Sequence, residues 1–354
     1  MNETLRLVCA GDRFISADLL AGALEAELGT DSGTGAPGPP TRIARLDSAW
    51  PTSPFADVDG VREASGDPAA LAALARGAHA LVTHLAPVTR EVVEAGRGTL
   101  RVIGVTRGGP VNVDLAAAAE ASVPVVHLPG RNLGAVAEYC VGTMICAMRG
   151  LPAAASGLAR GRWDAEGFRY ERTGLELRAA TVGLVGLGAV GARVAELLGA
   201  FGATVLAHDP YADAGTALRA GARMVGLDEL LAGSDVVSLH ARLTEETRHI
   251  VDAAALATMR PGSLLVNTAR GELVDAVALD RALEAGHLRG AVLDVFDPEP
   301  PAAGDPLLRR PGVFATPHLA GASTQVAEES AARIAREVAE VLTGARGGGG
   351  GQGV

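Results

Sequence analysis

The chain has 354 residues, which at about 150 residues per domain predicts two domains, and its 48% hydrophobic content is ample for a core in each. Aromatic residues make up only 3%, so the cores must consist of Ala, Val and Leu, and the net charge of -10 argues against general binding to nucleic acid or anionic membranes. All 31 basic residues are arginine, and the lack of lysine excludes Schiff-base enzymes, pyridoxal-phosphate enzymes and P-loop ATPases.

The first part of the chain alternates short apolar runs with alanine-rich helical stretches, which is typical of a parallel α/β fold. The predicted strands are residues 5–9, 43–46, 80–82, 101–105 and 124–127, and the predicted helices include 67–75 and 113–121. Gly and Pro are frequent in residues 30–40, which predicts a loop, and residues 344–354 form a glycine-rich tail.

The second part begins with one long predicted helix, 132–148, and an irregular segment, 160–176, which we interpret as a linker or a loop that crosses between domains. Six buried strands are then predicted at 181–185, 204–207, 235–239, 263–267, 290–294 and 312–315. Six strands in βαβ order predict a doubly wound sheet. The last helix, 323–342, has apolar residues at helical spacing and could pack on the first domain. We therefore expect two Rossmann-like domains, a discontinuous one of 1–128 plus 320–354 and a second of 129–319.

A glycine-rich turn, Gly186-x-Gly188-x-x-Gly191, follows the predicted strand 181–185 and opens a helix. Gly186 allows a tight turn, Gly188 lets the backbone approach a pyrophosphate, and Gly191 lets the helix pack closely on the strand. The helix N-terminus offers free N–H groups and a positive dipole to phosphates. Asp209 lies 18 residues beyond Gly191, where its carboxylate can accept both ribose hydroxyls of NAD and would repel the 2′-phosphate of NADP. The motif therefore predicts NAD as the cofactor.

Three ionisable side chains, Arg270, Glu299 and His318, follow the last three predicted strands. Because the carboxyl ends of parallel strands meet at one edge of a sheet, the topology can bring these side chains together. A guanidinium can hold a carboxylate and polarise a carbonyl, a histidine can give or take a proton, and a neighbouring carboxylate stabilises the imidazolium and raises its pKa. These groups suffice to interconvert a 2-keto acid and a 2-hydroxy acid beside a nicotinamide.

Four motifs, VGLVGLGAVGARVA, VNTARGELVD, AVLDVFDPEP and TPHLAGAS, resemble those of the D-isomer-specific 2-hydroxyacid dehydrogenases, and the resemblance extends from about residue 80 to 342. It implies that Arg270 binds the substrate carboxylate and carbonyl, that His318 is the acid/base tuned by Glu299, and that Asp294 hydrogen-bonds the nicotinamide carboxamide. It further implies D stereochemistry, a smaller flavodoxin-like substrate domain and a homodimer formed largely through the NAD-binding domain. The predicted cofactor-binding residues are Gly186, Gly188, Ala189, Val190, Gly191, Asp209, His240, Thr268, Ala269 and Asp294.

The sequence departs from this family at the glycine loop that grips the substrate carboxylate, which here reads Thr-Arg-Gly-Gly-Pro. The predicted substrate contacts are His84, Arg107, Gly108 and Gly109. Arg107 replaces a glycine and would suit a second anionic group on the substrate, such as a phosphate, phosphonate or carboxylate, or it pairs with a nearby acid instead. Arg131 is a second candidate for such a group. Arg242 stands where relatives usually have proline, and it could stack on the adenine or reach the 2′-phosphate of NADP.

We expect an NAD(H)-dependent dehydrogenase that acts on a small 2-hydroxy acid, and we expect the enzyme to need no metal. An NAD(H)-sensing, corepressor-like binding protein on the same fold is the alternative, and a related enzyme acting on formate or phosphite is a third. Three scattered cysteines do not suggest a disulfide framework, and neither a signal pattern nor an apolar run of about 18 residues is present. We therefore expect a cytoplasmic protein whose partners are a small-molecule substrate and a second copy of itself, with neither nucleic acid nor membrane.

Overall fold

The computed structural model describes residues 4–29, 38–48, 50 and 56–344. It divides into two compact units, one of Met1–Arg131 and Ser323–Val354 and the other of Asn132–Ala322. The domain boundaries expected from the sequence each fall three residues earlier than these divisions. Most of the predicted 30–40 loop and all but the first residue of the predicted tail lie outside the described residues.

The first unit is built on a five-stranded parallel sheet of mostly buried apolar strands, the composition typical of a sheet covered on both faces. Its strand order is β2-β1-β5-β6-β7, which is the flavodoxin-like order. In chain order the elements are β1 (Leu5–Gly11), α1 (Ala17–Leu28), β2 (Thr41–Asp47), β3 (Ala56–Val58), β4 (Val61–Ala64), α2 (Pro68–Ala75), β5 (Ala80–Thr83), α3 (Arg90–Ala95), β6 (Val102–Val105), α4 (Leu115–Glu120) and β7 (Val125–His127).

The antiparallel pair of β3 and β4 was not predicted. These two strands are only three and four residues long and carry acidic and basic side chains among a few small apolar ones, so they give neither a buried run nor an alternation.

The second unit contains a seven-stranded parallel sheet with the order β10-β9-β8-β11-β12-β13-β14. Its elements are α5 (Leu133–Met148), α6 (Leu151–Ala159), β8 (Thr181–Val185), α7 (Ala189–Ala200), β9 (Thr204–His208), α8 (Ala214–Ala220), β10 (Arg223–Met224), α9 (Leu227–Gly233), β11 (Val236–Leu239), α10 (Ala253–Thr258), β12 (Leu264–Asn267), α11 (Ala276–Glu284), β13 (Gly290–Leu293) and β14 (Val313–Ala315). The order is that of a dinucleotide-binding sheet with one added strand, so the predicted doubly wound α/β fold is confirmed. Strand β10, the third strand of that common order, has only two residues and was not predicted.

The segment 160–176 is irregular, as predicted, apart from a single 3₁₀ turn at Ala165–Phe168. Its interpretation as a linker between domains was wrong, because it lies wholly inside the second unit. The preceding helix α5 already packs on α7 of the second unit, so the chain has entered this unit before the segment begins.

The last helix, α12 (Thr324–Thr343), belongs to the first unit, where it packs against α1 and β6. Ser323 caps it by accepting a hydrogen bond at Oγ from the N–H of Val326 (3.1 Å), and Gly344 ends it in the left-handed conformation with φ 74°. Its buried side chains include Ile334 and Val338, which join the core that covers one face of the five-stranded sheet.

Both sheets are covered on both faces, because successive residues of a strand point to opposite sides. In β1, Leu7 and Cys9 join the core with α1 and α12, while Val8 and Ala10 join the core on the other side with α2. Two further cores cover the seven-stranded sheet in the same way. None of the helices in the described ranges combines the length and apolarity that crossing a membrane requires.

Candidate active site

The glycine turn between β8 and α7 contains two glycines that the fold itself requires. Gly186 has φ 98°, and a Cβ there would lie 2.5 Å from the backbone nitrogen of Ala241. A Cβ on Gly191 would lie 2.3 Å from the carbonyl oxygen of Gly186, so the helix packs on the turn at a distance that only glycine permits.

Gly188 differs, because no described atom lies within 4 Å of the position where its Cβ would be. It is the N-cap of α7, and no side chain of the described residues caps this helix end. The N-terminal turn therefore leaves open both a space beside the backbone and the N–H groups of the turn that includes Ala189 and Val190. An oxyanion such as a pyrophosphate fits both features, so the residues present suit a dinucleotide.

Asp209 follows β9 and ties the glycine turn to it. Its Oδ2 accepts a hydrogen bond from the N–H of Leu187 (2.8 Å) and its Oδ1 accepts one from the N–H of Tyr211 (2.9 Å). A carboxylate has about four acceptor sites, so Asp209 can still accept ribose hydroxyls.

His240 follows β11 at the same edge of the sheet. Burial lowers the pKa of His240 to about 4, which keeps this ring neutral near neutral pH. Arg242 is exposed.

The loop after β12 is held by Asn267, which is 1% exposed. Its Oδ1 accepts from the N–H of Ala269 (3.1 Å) and its Nδ2 donates to the carbonyl of Arg270 (2.8 Å). The guanidinium of Arg270 donates to the carbonyl of Ala269 (2.7 Å), and Thr268 Oγ1 lies 2.9 Å from Cys140 Sγ. Asn267 thus positions the arginine, a role that the sequence analysis did not assign although the motif VNTARG contains this residue.

Asp294 is fully buried at the end of β13 and anchors the loop that follows β14. Its Oδ1 accepts from Thr316 Oγ1 (2.7 Å) and from the N–H of Leu319 (2.8 Å), and its Oδ2 accepts from the N–H of Ala320 (2.8 Å). The carboxylate that was predicted to contact nicotinamide is therefore also the anchor of the residues on both sides of His318.

Tyr139 of α5 extends this network, since its hydroxyl lies 2.5 Å from Thr316 Oγ1. Burial raises the pKa of Tyr139, so the phenol stays protonated. Sequence reasoning missed both residues. The motif TPH could have drawn attention to Thr316, whereas Tyr139 lies within an apolar helical stretch that gives no separate signal.

His318 and Glu299 form the contact expected of an acid/base pair, with Nδ1 and Oε1 2.7 Å apart. The other carboxylate oxygen of Glu299 accepts from the N–H of Phe296 (3.3 Å). The backbone of His318 has φ 54°, a left-handed conformation that costs about 1 kcal/mol or more and that surrounding contacts must hold. One such contact is its own N–H, which donates to the carbonyl of Asp294 (2.9 Å).

The residues predicted to be catalytic thus follow neighbouring strands of one sheet. Arg270, Asp294, Glu299 and His318 follow β12, β13 and β14, which are neighbours in the seven-stranded sheet, and the glycine turn follows β8 at the same edge. In the described ranges, no group of three or more His, Cys, Asp or Glu side chains is placed to hold a metal ion.

The predicted substrate contacts lie in the first unit, around the end of β6. Arg107 binds Glu63 of β4 through Nη2 and Oε2, and its Nη1 donates to the carbonyl of Glu63 (2.8 Å). His84 is 5% exposed and its Nδ1 lies 2.6 Å from Asp12 Oδ2. Near the ideal Cβ positions of Gly108 and Gly109 the closest described atoms are 3.9 and 4.0 Å away, so the fold leaves room beside their backbone.

Residues 141–320 match the family model described as the NAD binding domain of the D-isomer specific 2-hydroxyacid dehydrogenases. The chain is 40% identical over 259 residues to D-3-phosphoglycerate dehydrogenase of Methanocaldococcus jannaschii, a match that covers 73% of this chain and 48% of that protein. It is also 40% identical over 255 residues to the putative 2-hydroxyacid dehydrogenase YoaD of Bacillus subtilis, covering 71% of this chain and 73% of that protein.

A crystal structure of a protein from Thermus thermophilus superposes with a TM-score of 0.75 at 31% identity, covering 96% of this chain and 97% of that one. The chain spans about half the length of several curated relatives that it matches, which are named D-3-phosphoglycerate dehydrogenase. Together with the glycine turn and the strand-end residues, these matches show that the chain belongs to the D-isomer specific 2-hydroxyacid dehydrogenase family and carries its NAD binding domain.

Proposed function

We propose that the protein is an NAD(H)-dependent oxidoreductase that interconverts a small 2-keto acid and a D-2-hydroxy acid. The observation that carries this proposal is the contact of 2.7 Å between His318 Nδ1 and Glu299 Oε1, on the sheet edge that also carries Arg270 and the glycine turn. The same pair and the dehydrogenase names of the relatives favour an enzyme over a corepressor-like sensor.

NAD, when bound, supplies the acceptor or donor of the hydride. Glu299 accepts the Nδ1 proton of His318, which fixes the ring orientation and leaves Nε2 as the atom that exchanges a proton with the substrate oxygen. Arg270 binds the substrate carboxylate and polarises the neighbouring carbonyl. Asn267 positions Arg270, and Asp294 positions the backbone of His318.

The cofactor is proposed to lie on the glycine turn and on the residues already predicted. Asp209 faces the ribose, and Thr268, Ala269 and Asp294 border the nicotinamide. The carboxylate of Asp209 favours NAD over NADP because it would repel a 2′-phosphate.

The first unit is proposed to contribute His84, Gly108 and Gly109 to substrate binding, the glycines through their backbone N–H groups. We assign Arg107 a positioning role beside them, because Glu63 already neutralises its charge.

A homodimer formed through the second unit is proposed on the family resemblance and on an exposed aromatic group. Trp163, Phe168 and Tyr170 are 80%, 85% and 90% exposed, and such side chains are enriched in protein interfaces. The free cysteines, of which Cys9 and Cys140 are buried, agree with a cytoplasmic location.

The test is the oxidation of NADH, followed at 340 nm, with glyoxylate, pyruvate, hydroxypyruvate, 2-oxoglutarate and phosphohydroxypyruvate, repeated with NADPH. His318→Gln should lower kcat by about 10²–10⁴-fold on the best substrate, because a positioned general acid contributes roughly that much. Its binding of NADH, measured by calorimetry, should stay within a few-fold of the unmodified protein. Tight NADH binding without turnover of any keto acid would contradict the proposal and favour the sensor. Near-normal turnover by the variant would remove His318 from the mechanism.

A further inference from the structure

One cation of the first unit, Arg131, is largely buried and forms no ion pair with an acid among the residues that the structure describes. Arg131 Nη1 is buried and makes no hydrogen bond within the part of the chain that the structure describes. Its Nη2 lies 3.4 Å from His84 Nε2, which is a long contact to a ring nitrogen. Buried cations in proteins are normally paired, since an isolated buried charge costs several kcal/mol.

Two acids of the same unit, Asp12 and Glu63, make their hydrogen bonds with other groups. Asp12 is 2% exposed, and its Oδ1 accepts from the N–H groups of Phe14 (2.8 Å) and Ile15 (3.0 Å) while its Oδ2 contacts His84 Nδ1. Glu63 binds Arg107 through both its carboxylate and its carbonyl. Neither acid contacts Arg131 directly, and the negative charge of Asp12 acts on Arg131 only across the His84 ring.

The His84 ring carries no charge that could neutralise Arg131. A guanidinium nitrogen only donates hydrogen bonds, so His84 Nε2 accepts from Arg131 and the ring proton resides on Nδ1, which donates it to Asp12. Burial lowers the pKa of His84, with Arg131 and Arg107 acting in the same direction against Asp12. The ring is therefore neutral at physiological pH and orients Arg131 without compensating its charge.

The guanidinium remains charged in this environment. Burial, and next the positive charge of Arg107, lower the pKa of Arg131 to about 10, which still leaves it protonated at neutral pH. The centre of the Phe14 ring lies 6.0 Å from Arg131 Cζ and 5.6 Å from the centre of the His84 ring, so both side chains are close to this aromatic ring. Arg131 is therefore a preorganised donor that a bound oxyanion would complete.

We propose that Arg131 binds a second anionic group of the substrate, so that the substrate is a 2-keto or 2-hydroxy acid carrying a further carboxylate or phosphate. The inference rests on the proposed function, whose 2-keto or 2-hydroxy acid substrate already carries one carboxylate. It also moves the anion contact from Arg107, which the sequence favoured, to Arg131, because Glu63 neutralises only Arg107.

The kinetic test compares kcat/KM for dianionic keto acids (phosphohydroxypyruvate and 2-oxoglutarate) with that for monoanionic ones (hydroxypyruvate and pyruvate) in Arg131→Met. The dianionic-to-monoanionic ratio should fall by on the order of 100-fold, as expected for loss of a desolvated charge contact. Arg107→Met should change the ratio by less than about tenfold, and Arg90→Met, which removes an exposed ion pair with Glu120, should leave it unaltered. The two dianionic substrates separate a phosphate site from a carboxylate site.

Protein stability separates a ligand-binding arginine from a structural one. Arg131 forms no direct ion pair with an acid, so its replacement should cost little stability and a near-wild-type Tm is expected for Arg131→Met. If this variant fails to fold, Arg131→Lys, which keeps the charge without the planar fork, should still lower the ratio.

Calorimetric titration with 2-phosphoglycolate measures the anion site without any turnover. Binding that Arg131→Met abolishes and Arg90→Met retains would support the site even if no keto acid is reduced, and only the proposed function would then fail. Turnover with a ratio that Arg131→Met leaves unchanged would overturn the inference while the proposed function stands. Absence of both turnover and binding would overturn both.

Discussion

In each unit the first strand of the sheet, β1 or β8, leads through a turn into a helix, but the two helices begin differently. In the first unit the start of α1 is filled by the protein itself. Ser16 Oγ accepts from the N–H of Leu19 (3.1 Å), and Asp47 Oδ1 accepts from the N–H of Ala17 (2.7 Å). In the second unit Gly188 is the N-cap of α7, and no side chain that the structure describes caps this helix.

Each sheet also has a carboxylate at the end of its second strand, Asp47 in the first unit and Asp209 in the second, and the two carboxylates contact different N–H groups. Asp47 is the last residue of β2 and reaches the first N–H of α1, whereas Asp209 follows β9 and stops at the N–H of Leu187, before α7 begins. The first unit thus supplies its own anion to the helix dipole, and the second leaves that place to a phosphate. One topology therefore yields one closed and one ligand-binding turn.

Gly188→Asp should have the largest effect, because it gives the second unit the acidic helix start of the first. The backbone at Gly188 has φ -69° and ψ -165°, which any residue adopts, and the added side chain meets open space. An aspartate cap stabilises a helix by about 1 kcal/mol, so Tm should not fall. Its charge would face the pyrophosphate, and the Kd for NADH should rise by on the order of 100-fold or more, measured by calorimetry.

Gly22→Asp is the matched control, since it adds the same charge at a glycine of α1 whose Cβ position is also free of described atoms within 4 Å. The Kd for NADH should stay within about twofold in this variant. Equal weakening in both variants would mean that net charge, and not the open turn, governs binding.

Asp209→Asn should have the next largest effect, because it removes the charge and its amide nitrogen cannot accept one of the two hydrogen bonds now donated by the N–H groups of Leu187 and Tyr211. Hydrogen bonds to a charged group are worth about 1.5–3 kcal/mol, so the Kd for NADH should rise roughly 10–100-fold. The Kd for NADPH should rise less, because the repulsion of the 2′-phosphate disappears. An unchanged ratio of the two constants would point to Arg242 as the group that selects the cofactor.

The features that could be predicted from the sequence are those with local signals. The glycine turn, the buried strands and the strand-end residues Arg270, Glu299 and His318 each lie within a few residues of the pattern that reveals them. The ion pair between Arg107 and Glu63 could not be predicted in this way. Glu63 is 44 residues away on β4, a strand that has no recognisable periodicity. The lack of a hydrogen bond to Arg131 Nη1 within the described residues depends on the same distant contacts and could not be predicted either.

The same argument explains the hydrogen-bond network around His318. Asp294 and Thr316 belong to strand-end motifs, but the hydroxyl of Tyr139 reaches Thr316 from α5, which is 177 residues away in the chain. Sequence patterns report which face of a helix is apolar. They do not report which polar group that face presents to a distant loop.

Ser16→Ala should have the smallest effect, and it tests the helix start of the first unit instead of the second. It removes the cap that closes the first turn, so the free energy of unfolding should fall by about 1 kcal/mol, with Tm lower by about 2–4 °C. Asp47 would still satisfy the N–H of Ala17, so α1 should keep its start and the loss should not exceed that of one capping bond. The Kd for NADH should not change, because an opened turn on the first unit still lacks the uncapped glycine that lets a pyrophosphate approach. A gain of dinucleotide binding at the first unit would show that caps alone separate the two turns, whereas an unchanged Kd assigns the difference to Gly188 and the space beside it.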